Sequence, residues 1–236
     1  MAPSPVRRGP GSESGFTLVE LLVGVVLFGV LGSMIAGFVV SSSRAVDNSR
    51  QLHDINEEAR LSLVRMSREL RQAASLDAAT LYASGAYATA GYASSITFSV
   101  DFNGVNGIEP NAVDPEVLTY RYLPDGSGQG NGQIQLTAND ASGASIVRPI
   151  LAAHVSDFRL ELRSSQWACD GNGDGVTTWR ELDTSARAAC PHPDGNGVLG
   201  ANELGQVDSV VLAFSVFKGV HKQDYSTQIN LRNVGI

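Results

Sequence analysis

Phe16-Thr17-Leu18-Val19-Glu20, followed by the run from Leu21 to Val40, decides how this chain is organised. The run holds apolar or small residues interrupted only by Ser33. At 1.5 Å per residue, a helix of about twenty residues spans roughly 30 Å, the thickness of a bilayer's hydrocarbon core. Glu20 stands at the entrance of that run, where an unpaired carboxylate costs about 2.5–3.5 kcal/mol on insertion scales, so it needs a partner or a purpose. Directly upstream lie Gly15 and a polar segment carrying Arg7 and Arg8, cationic residues of the kind that set orientation.

Two ordinary readings of an N-terminal apolar run fit less well. A secretory signal peptide requires small residues at the −3 and −1 positions after its core, whereas Met34-Ile35-Ala36 offers a large residue at −3. A plain single-span anchor fits the length and the arginines but leaves Glu20 unexplained.

Gly15-Phe16-Thr17-Leu18-Val19-Glu20 resembles the class III signal of type IV prepilins and type II secretion pseudopilins, with every position of the motif filled. The resemblance implies cleavage after Gly15 by a prepilin peptidase, methylation of the new terminal Phe16, and an assembly role for Glu20. It also implies a pilin-like α+β fold, in which a long N-terminal helix, transmembrane in its first half, packs on an antiparallel β-sheet domain. Physically, the freed amine of Phe16 would lie one helical turn from the Glu20 carboxylate, so acid and amine, from one subunit or from neighbours, neutralise each other in lipid-like surroundings. Gly24, Gly29, Gly32, Ser33, Ala36 and Gly37 let neighbouring helices approach closely.

The expected organisation is a leader at residues 1–15, a helix over 16–75 whose residues 16–40 form the transmembrane or filament-core part, and a β-rich globular domain over 76–236. Leu52, Ile55, Ala59, Leu63, Met66, Leu70 and Ala73 recur three or four residues apart and give the helix's second half one apolar stripe. Leu76 to Ser94, rich in Ala, Tyr and Gly, reads as a connecting loop. Strands are expected at Ser95–Phe102, Val117–Leu123, Gly132–Thr137, Ser145–Ile150, Val155–Ser164, Val207–Val216 and Tyr225–Arg232. Gly126 to Gly132 suggests a phosphate cradle only superficially, because no Lys-Ser/Thr follows it and no strand-to-helix pattern frames it. The C-terminal Thr227 to Asn233, with the Arg-rich stretch Arg60 to Arg71, resembles the PilW type of minor pilin and the J-type pseudopilin.

From Leu76 onward, 9 Lys plus Arg stand against 17 Asp plus Glu, a difference of 8 in favour of the acids, so direct nucleic-acid binding is not expected. The two cysteines, Cys169 and Cys190, read in an oxidising compartment as a loop-closing disulfide, with two free thiols as the alternative. One histidine nearby, His192, is too few for zinc. Between them, Asp170-Gly-Asn172-Gly-Asp174-Gly175-Val176-Thr-Thr178-Trp-Arg-Glu181 fits D-x-[DN]-x-[DN]-G-x5-E throughout. Side chains at loop positions 1, 3 and 5 converge, Gly175 makes the sharp turn, the Val176 carbonyl adds an oxygen, Thr178 acts through water and Glu181 closes the site, so Ca2+ is the expected cofactor. A second segment, Asp194-Gly-Asn196 to Glu203, echoes the first with two residues missing and is a possible second site; the disulfide-closed insert spans about 169–205. Asp101-Phe-Asn103-Gly reads as a turn.

His53, His154, His192 and His221 are scattered, and neither G-x-S-x-G nor H-E-x-x-H occurs, so no catalysis is expected. These readings point to a minor pilin or pseudopilin, a structural subunit of a type IV pilus or type II secretion pseudopilus. Its partners are the prepilin peptidase, the membrane and other pilins or pseudopilins through the N-terminal helix. It would span the inner membrane once before assembly and then place its globular domain in the periplasm or outside the cell. The alternative is a membrane-anchored, calcium-dependent adhesin or binding module exported through the same pathway.

Overall fold

The computed structural model describes residues 15, 17–102, 104, 107–110, 114–125, 131–185, 187, 189–190, 195–219 and 221–231. The chain divides into two compact units at Gln51/Leu52, a division that falls inside one helix, α1 (Leu18–Arg71). In the first unit the apolar side chains from Leu18 to Val40 are all exposed, Phe28 and Phe38 by 79% and 74%. Their surroundings must therefore come from something other than this chain, and α1 is long and apolar enough to cross a membrane.

In the second unit the helix changes character, as its single stripe requires. Ala59, Met66 and Leu70 are completely buried against an eight-stranded antiparallel sheet. Each such side chain as large as Met66 or Leu70 contributes about 1.5–3 kcal/mol of apolar burial. The fold is thus the α+β, pilin-like arrangement in which the N-terminal helix packs on an antiparallel sheet. Polar bonds fix the register of helix on sheet. Ser62 Oγ donates to the Ile150 carbonyl (2.8 Å), Tyr225 Oη to Asn56 Oδ1 (2.9 Å), and the Tyr120 hydroxyl to Glu69, which also pairs with Arg65 (2.9 Å).

The strands are β1 (Ser75–Leu81), β2 (Ala93–Ser99), β3 (Val117–Leu123), β4 (Gly132–Asn139), β5 (Ser145–Ser164), β6 (Thr177–Thr178), β7 (Ser209–Lys218) and β8 (His221–Asn230). They run side by side as β1-β2-β3-β4-β5-β7-β8, with β6 paired to β5 and a further β2–β5 pair at Ala93 and Leu160. Phe158 faces Phe214, Leu160 faces Leu212 and Leu162 faces Val210, so period-two alternation sends these rows to the core. Asp157, Arg159, Glu161 and Arg163 then take the opposite face, where Arg159 pairs with Asp157 and Arg163 with Glu161.

Two expectations are corrected. Leu76 to Ser94 is not a plain loop: it contains β1, a short helix α2 (Gly85–Ala90) and the start of β2. Its irregular apolar pattern has a structural cause, a register shift between Leu76 and Ala78 that breaks the alternation along β1. The strands expected at Ser145–Ile150 and Val155–Ser164 are one strand, β5. Opposite it, Gly132 pairs with Val155 and Ile134 with Leu151, so β5 carries extra residues there, and His154 takes a left-handed φ of 67°. At that bulge β5 exchanges β4 for β7 as its partner. Pro149, which has no N–H to donate, sits before the exchange. The last strand starts earlier than expected, at His221, while residues 126–130 and 232–236 lie outside the described residues.

Burial, and next the charge of Glu69, raise the Tyr120 phenol above its ordinary value. A raised folded-state value means that the associated stability is complete below about pH 10, the unfolded phenol's range, and falls as pH rises beyond it. Tyr120→Phe is expected to lose about 1–3 kcal/mol at neutral pH, because Glu69 Oε2 loses its donor while Oε1 keeps Arg65, and to soften the alkaline decline. Urea unfolding at neutral and alkaline pH measures both.

Candidate functional site

The N-terminal candidate begins where α1 does. The N–H of Glu20 donates to Thr17 Oγ1 (3.3 Å) and that of Leu21 to the Thr17 carbonyl (3.2 Å), so Thr17 caps the helix. Thr17-x-x-Glu20 has the spacing of a capping box and was readable as one, although the sequence reading did not use it. The capped turn puts Glu20 in the first turn of α1, at the helix's positive end. Gly15 is exposed with open space where a Cβ would stand, while Phe16 and the leader arginines lie outside the described residues.

Residues 11–36 match the prokaryotic N-terminal methylation motif. The chain therefore carries a type IV prepilin-like class III signal and is a substrate of the type IV pilin pathway. The match ends within the apolar run and does not reach the globular domain. No curated protein and no solved structure matches the chain.

The second candidate is the insert between the cysteines. A disulfide joins Cys169 and Cys190, whose Cα atoms are 4.7 Å apart, and both sulfurs pack with Leu182 in a small core of their own. A closed loop of this length restricts the unfolded chain by about 3 kcal/mol in the loop-entropy picture. Inside it, Asp170 Oδ1 accepts from Gly173 N–H (2.6 Å) and Oδ2 from Gly175 N–H (2.9 Å). The Gly175 N–H above all, with that of Gly173, holds the Asp170 carboxyl below the usual carboxylate range against opposing burial. Gly173 and Gly175 have φ of 75° and 82°, which L side chains rarely adopt.

Glu181, the third residue of α3 (Trp179–Thr184), closes over the same backbone. Its Oε1 accepts from Gly171 and Asn172 N–H (3.2 and 3.4 Å), its Oε2 from the N–H and hydroxyl of Thr178 (3.0 and 3.1 Å). Asp174 accepts from Asn172 Nδ2 (2.9 Å) and Val176 N–H (2.8 Å). The fold thus brings Asp170, Asn172, Asp174, Thr178 and Glu181 onto one short loop whose donors to any ion are oxygens, the chemistry a hard cation takes. Their carboxylates are held by N–H groups, and among the described residues no three His, Cys, Asp or Glu side chains form a ready cage. In the second segment Asn196 Oδ1 accepts from Val198 N–H (2.6 Å) and Glu203 Oε2 from Gly200 N–H (2.8 Å); Asp194 lies outside the described residues.

The sequence reading missed how the insert is fastened. Trp179 Nε1 donates to the Gly91 carbonyl (2.7 Å), and Arg180 donates to the carbonyls of Thr89 (2.7 Å) and Ala88 (2.6 Å) at the end of α2. A cation thereby satisfies the last carbonyls of a helix and meets its negative end. Gly91 has φ of 77°, and a Cβ there would lie 2.7 Å from Arg180 Nε and 3.1 Å from Trp179 Nε1. Nothing in the sequence links residues 88–91 to 179–180, ninety positions away. Gly91→Ala combines left-handed strain of about 1–2 kcal/mol with this clash, and limited proteolysis should show faster cleavage in the insert than in the wild type.

Proposed function

We propose that the chain is a minor pilin or pseudopilin, a structural subunit whose N-terminal helix joins a filament core. The observation that carries this reading is the exposed apolar run of α1 from Leu18 to Val40, headed by Glu20 and overlapping the methylation motif as far as Ala36. A helix apolar all round needs lipid before assembly and other helices after it, and Glu20 needs a cationic partner in both. The amine that cleavage after Gly15 would free, four residues before Glu20 in sequence, would be such a partner. The acidic domain then lies in the periplasm or outside the cell, and the protein works by assembling rather than by catalysing a reaction.

N-terminal mass spectrometry of protein from its own host tests the processing step: the mature chain should begin at N-methylated Phe16. Glu20→Ala should still be cleaved and membrane-bound yet fail to enter filaments. A terminus at Met1, or normal filament entry of that variant, would overturn the reading.

We further propose that Asp170, Asn172, Asp174, Thr178 and Glu181, with the Val176 carbonyl, hold one calcium ion in the exported insert. The support is the oxygen-only donor set on one disulfide-closed loop, with Glu181 already folded over Gly171 and Asn172. When bound, the ion would supply positive charge among three acids and so fix the loop. Calcium at ten times its dissociation constant stabilises by about 1.4 kcal/mol, a rise in melting temperature of about 3–6 °C for a domain of this size. Asp174→Ala should abolish that rise, and a wild type that shows none in millimolar calcium would refute the site.

A further inference from the structure

Towards its turn, the β4–β5 hairpin loses cover on its core face: Ile134 is fully buried, whereas Ala138 and Ile146, which pair across the two strands, are half-buried. α1 meets β5 at Ile150 through Ser62 and β3 at Tyr120 through Glu69, and beside it lies a cavity of about 320 Å³. Leu118, Leu136, Ala138 and Ile146 form its floor. Leu118 and Leu136 also belong to the main apolar core, so the cavity opens onto that core. Phe102 and Pro115 form a wall, which the fully buried Glu116 holds in place. One oxygen of Glu116 accepts from Phe102 N–H (3.1 Å) and the other from Glu109 N–H (2.8 Å). A preformed, mainly apolar cavity of this size is at the lower end of the range of small-molecule sites, about 300–1,000 Å³.

The charged groups at the opening differ in how far they are already engaged. Arg65 pairs with Glu69 Oε1 (2.9 Å) and Tyr120 donates to Oε2, so that acid is satisfied from within. Arg148 stands directly across from Leu136 and two residues from Ile146, on the face that carries the floor. Among the described residues its guanidinium has neither ion pair nor hydrogen bond. Acids are not scarce in this chain, 24 against 17 Lys plus Arg, so the lack of a partner belongs to this place and not to composition.

We infer that this cavity binds a small aliphatic monocarboxylate, its tail on the floor of Leu136 and Ile146 and its carboxylate on Arg148. A guanidinium meets a carboxylate through two parallel N–H···O bonds, while its aliphatic stem lies along apolar surface. At about 30 Å³ per water-sized group, the volume suits about ten non-hydrogen atoms. Asp114, exposed at the rim of the same cavity, repels a second negative charge and so disfavours a phosphate monoester. Addition of a partner's strand beside the cavity is opposed by β5 itself, where Pro149 lacks an N–H and Ser62 takes the Ile150 carbonyl. The inference goes beyond filament assembly and the calcium loop and rests on neither.

Calorimetric titration of the full chain in dodecyl maltoside with sodium octanoate, after subtraction of a micelle-only titration, tests it. The wild type should bind octanoate saturably, and octanol, with the same tail and no charge, about tenfold more weakly or worse. Arg148→Gln should weaken octanoate by about the same factor and leave octanol unchanged, because only the carboxylate contact is lost. Ala138→Phe, which fills the cavity, should abolish both. Should Ala138→Phe not fold, the comparison with Arg148→Gln decides alone. Absence of saturable octanoate binding, or equal affinity in the wild type and Arg148→Gln, overturns the site. So does a preference of about tenfold for N-acetyl-leucyl-leucine over octanoate, which would assign the cavity to the end of a protein chain.

Discussion

A single hydrogen-bonded backbone, α1, has to satisfy two different surroundings, and the rest of the structure depends on how its side chains divide that work. From Leu18 to Val40 every apolar side chain is exposed, which in water would be ruinous and in lipid or among like helices is favourable. From Ile55 onward a single apolar stripe is buried, with Ala59, Met66 and Leu70 in the sheet's core, while Leu61 and Val64 face outward. The helix backbone needs no outside donors in either regime, so the transition costs nothing in hydrogen bonds and is written wholly in side chains. The one carboxylate inside the apolar half, Glu20, sits where Thr17 caps the first turn, at the end of the helix whose dipole favours a negative charge.

The sheet meets that stripe with a bulge. β5 pairs with β4 up to Val155 and with β7 from Val155 onward, and Pro149 lies in the part that pairs on one side only. Helix and strand exchange polar partners close to that point, where Ser62 bonds the carbonyl of Ile150. An apolar stripe alone would allow the helix to slide or rotate on the sheet. Ser62, Asn56 and Glu69, each bonded to a different strand, leave one seating.

How much of this was legible in the sequence follows from the range of the interactions. The apolar run, its acid, the stripe after it and most strands are local patterns, and the structure places them close to where the residues point. The stretch from Leu76 to Ser94 was unreadable because β1 is irregular at Asp77, and because α2 is six residues long and ends on contacts from Trp179 and Arg180. A helix that short has no periodicity of its own to detect. The break read at residues 151–154 was real as an interruption of alternation and misleading as an end of the strand, since a bulge and a loop disturb the pattern alike. At the insert, the ligand-type spacing and the cysteine pair were legible, whereas the bonds from Asn196 and Gly197 N–H to the Asp183 carboxylate were not. Asp183 stands outside both loop motifs and meets the second only through the folding of α3 beside it.

The insert therefore stands on two different kinds of support, and their order matters. The disulfide and the contacts of Trp179 and Arg180 with α2 hold its position without any ion. Within that frame the N–H groups of Gly171, Asn172, Gly173 and Gly175 organise Asp170 and Glu181, so the backbone itself gathers these acids. Glu203 differs from Glu181: its Oε2 accepts from Gly200 N–H, but its buried Oε1 has no hydrogen-bond partner, so the backbone of the second segment gathers its acid less completely than the first.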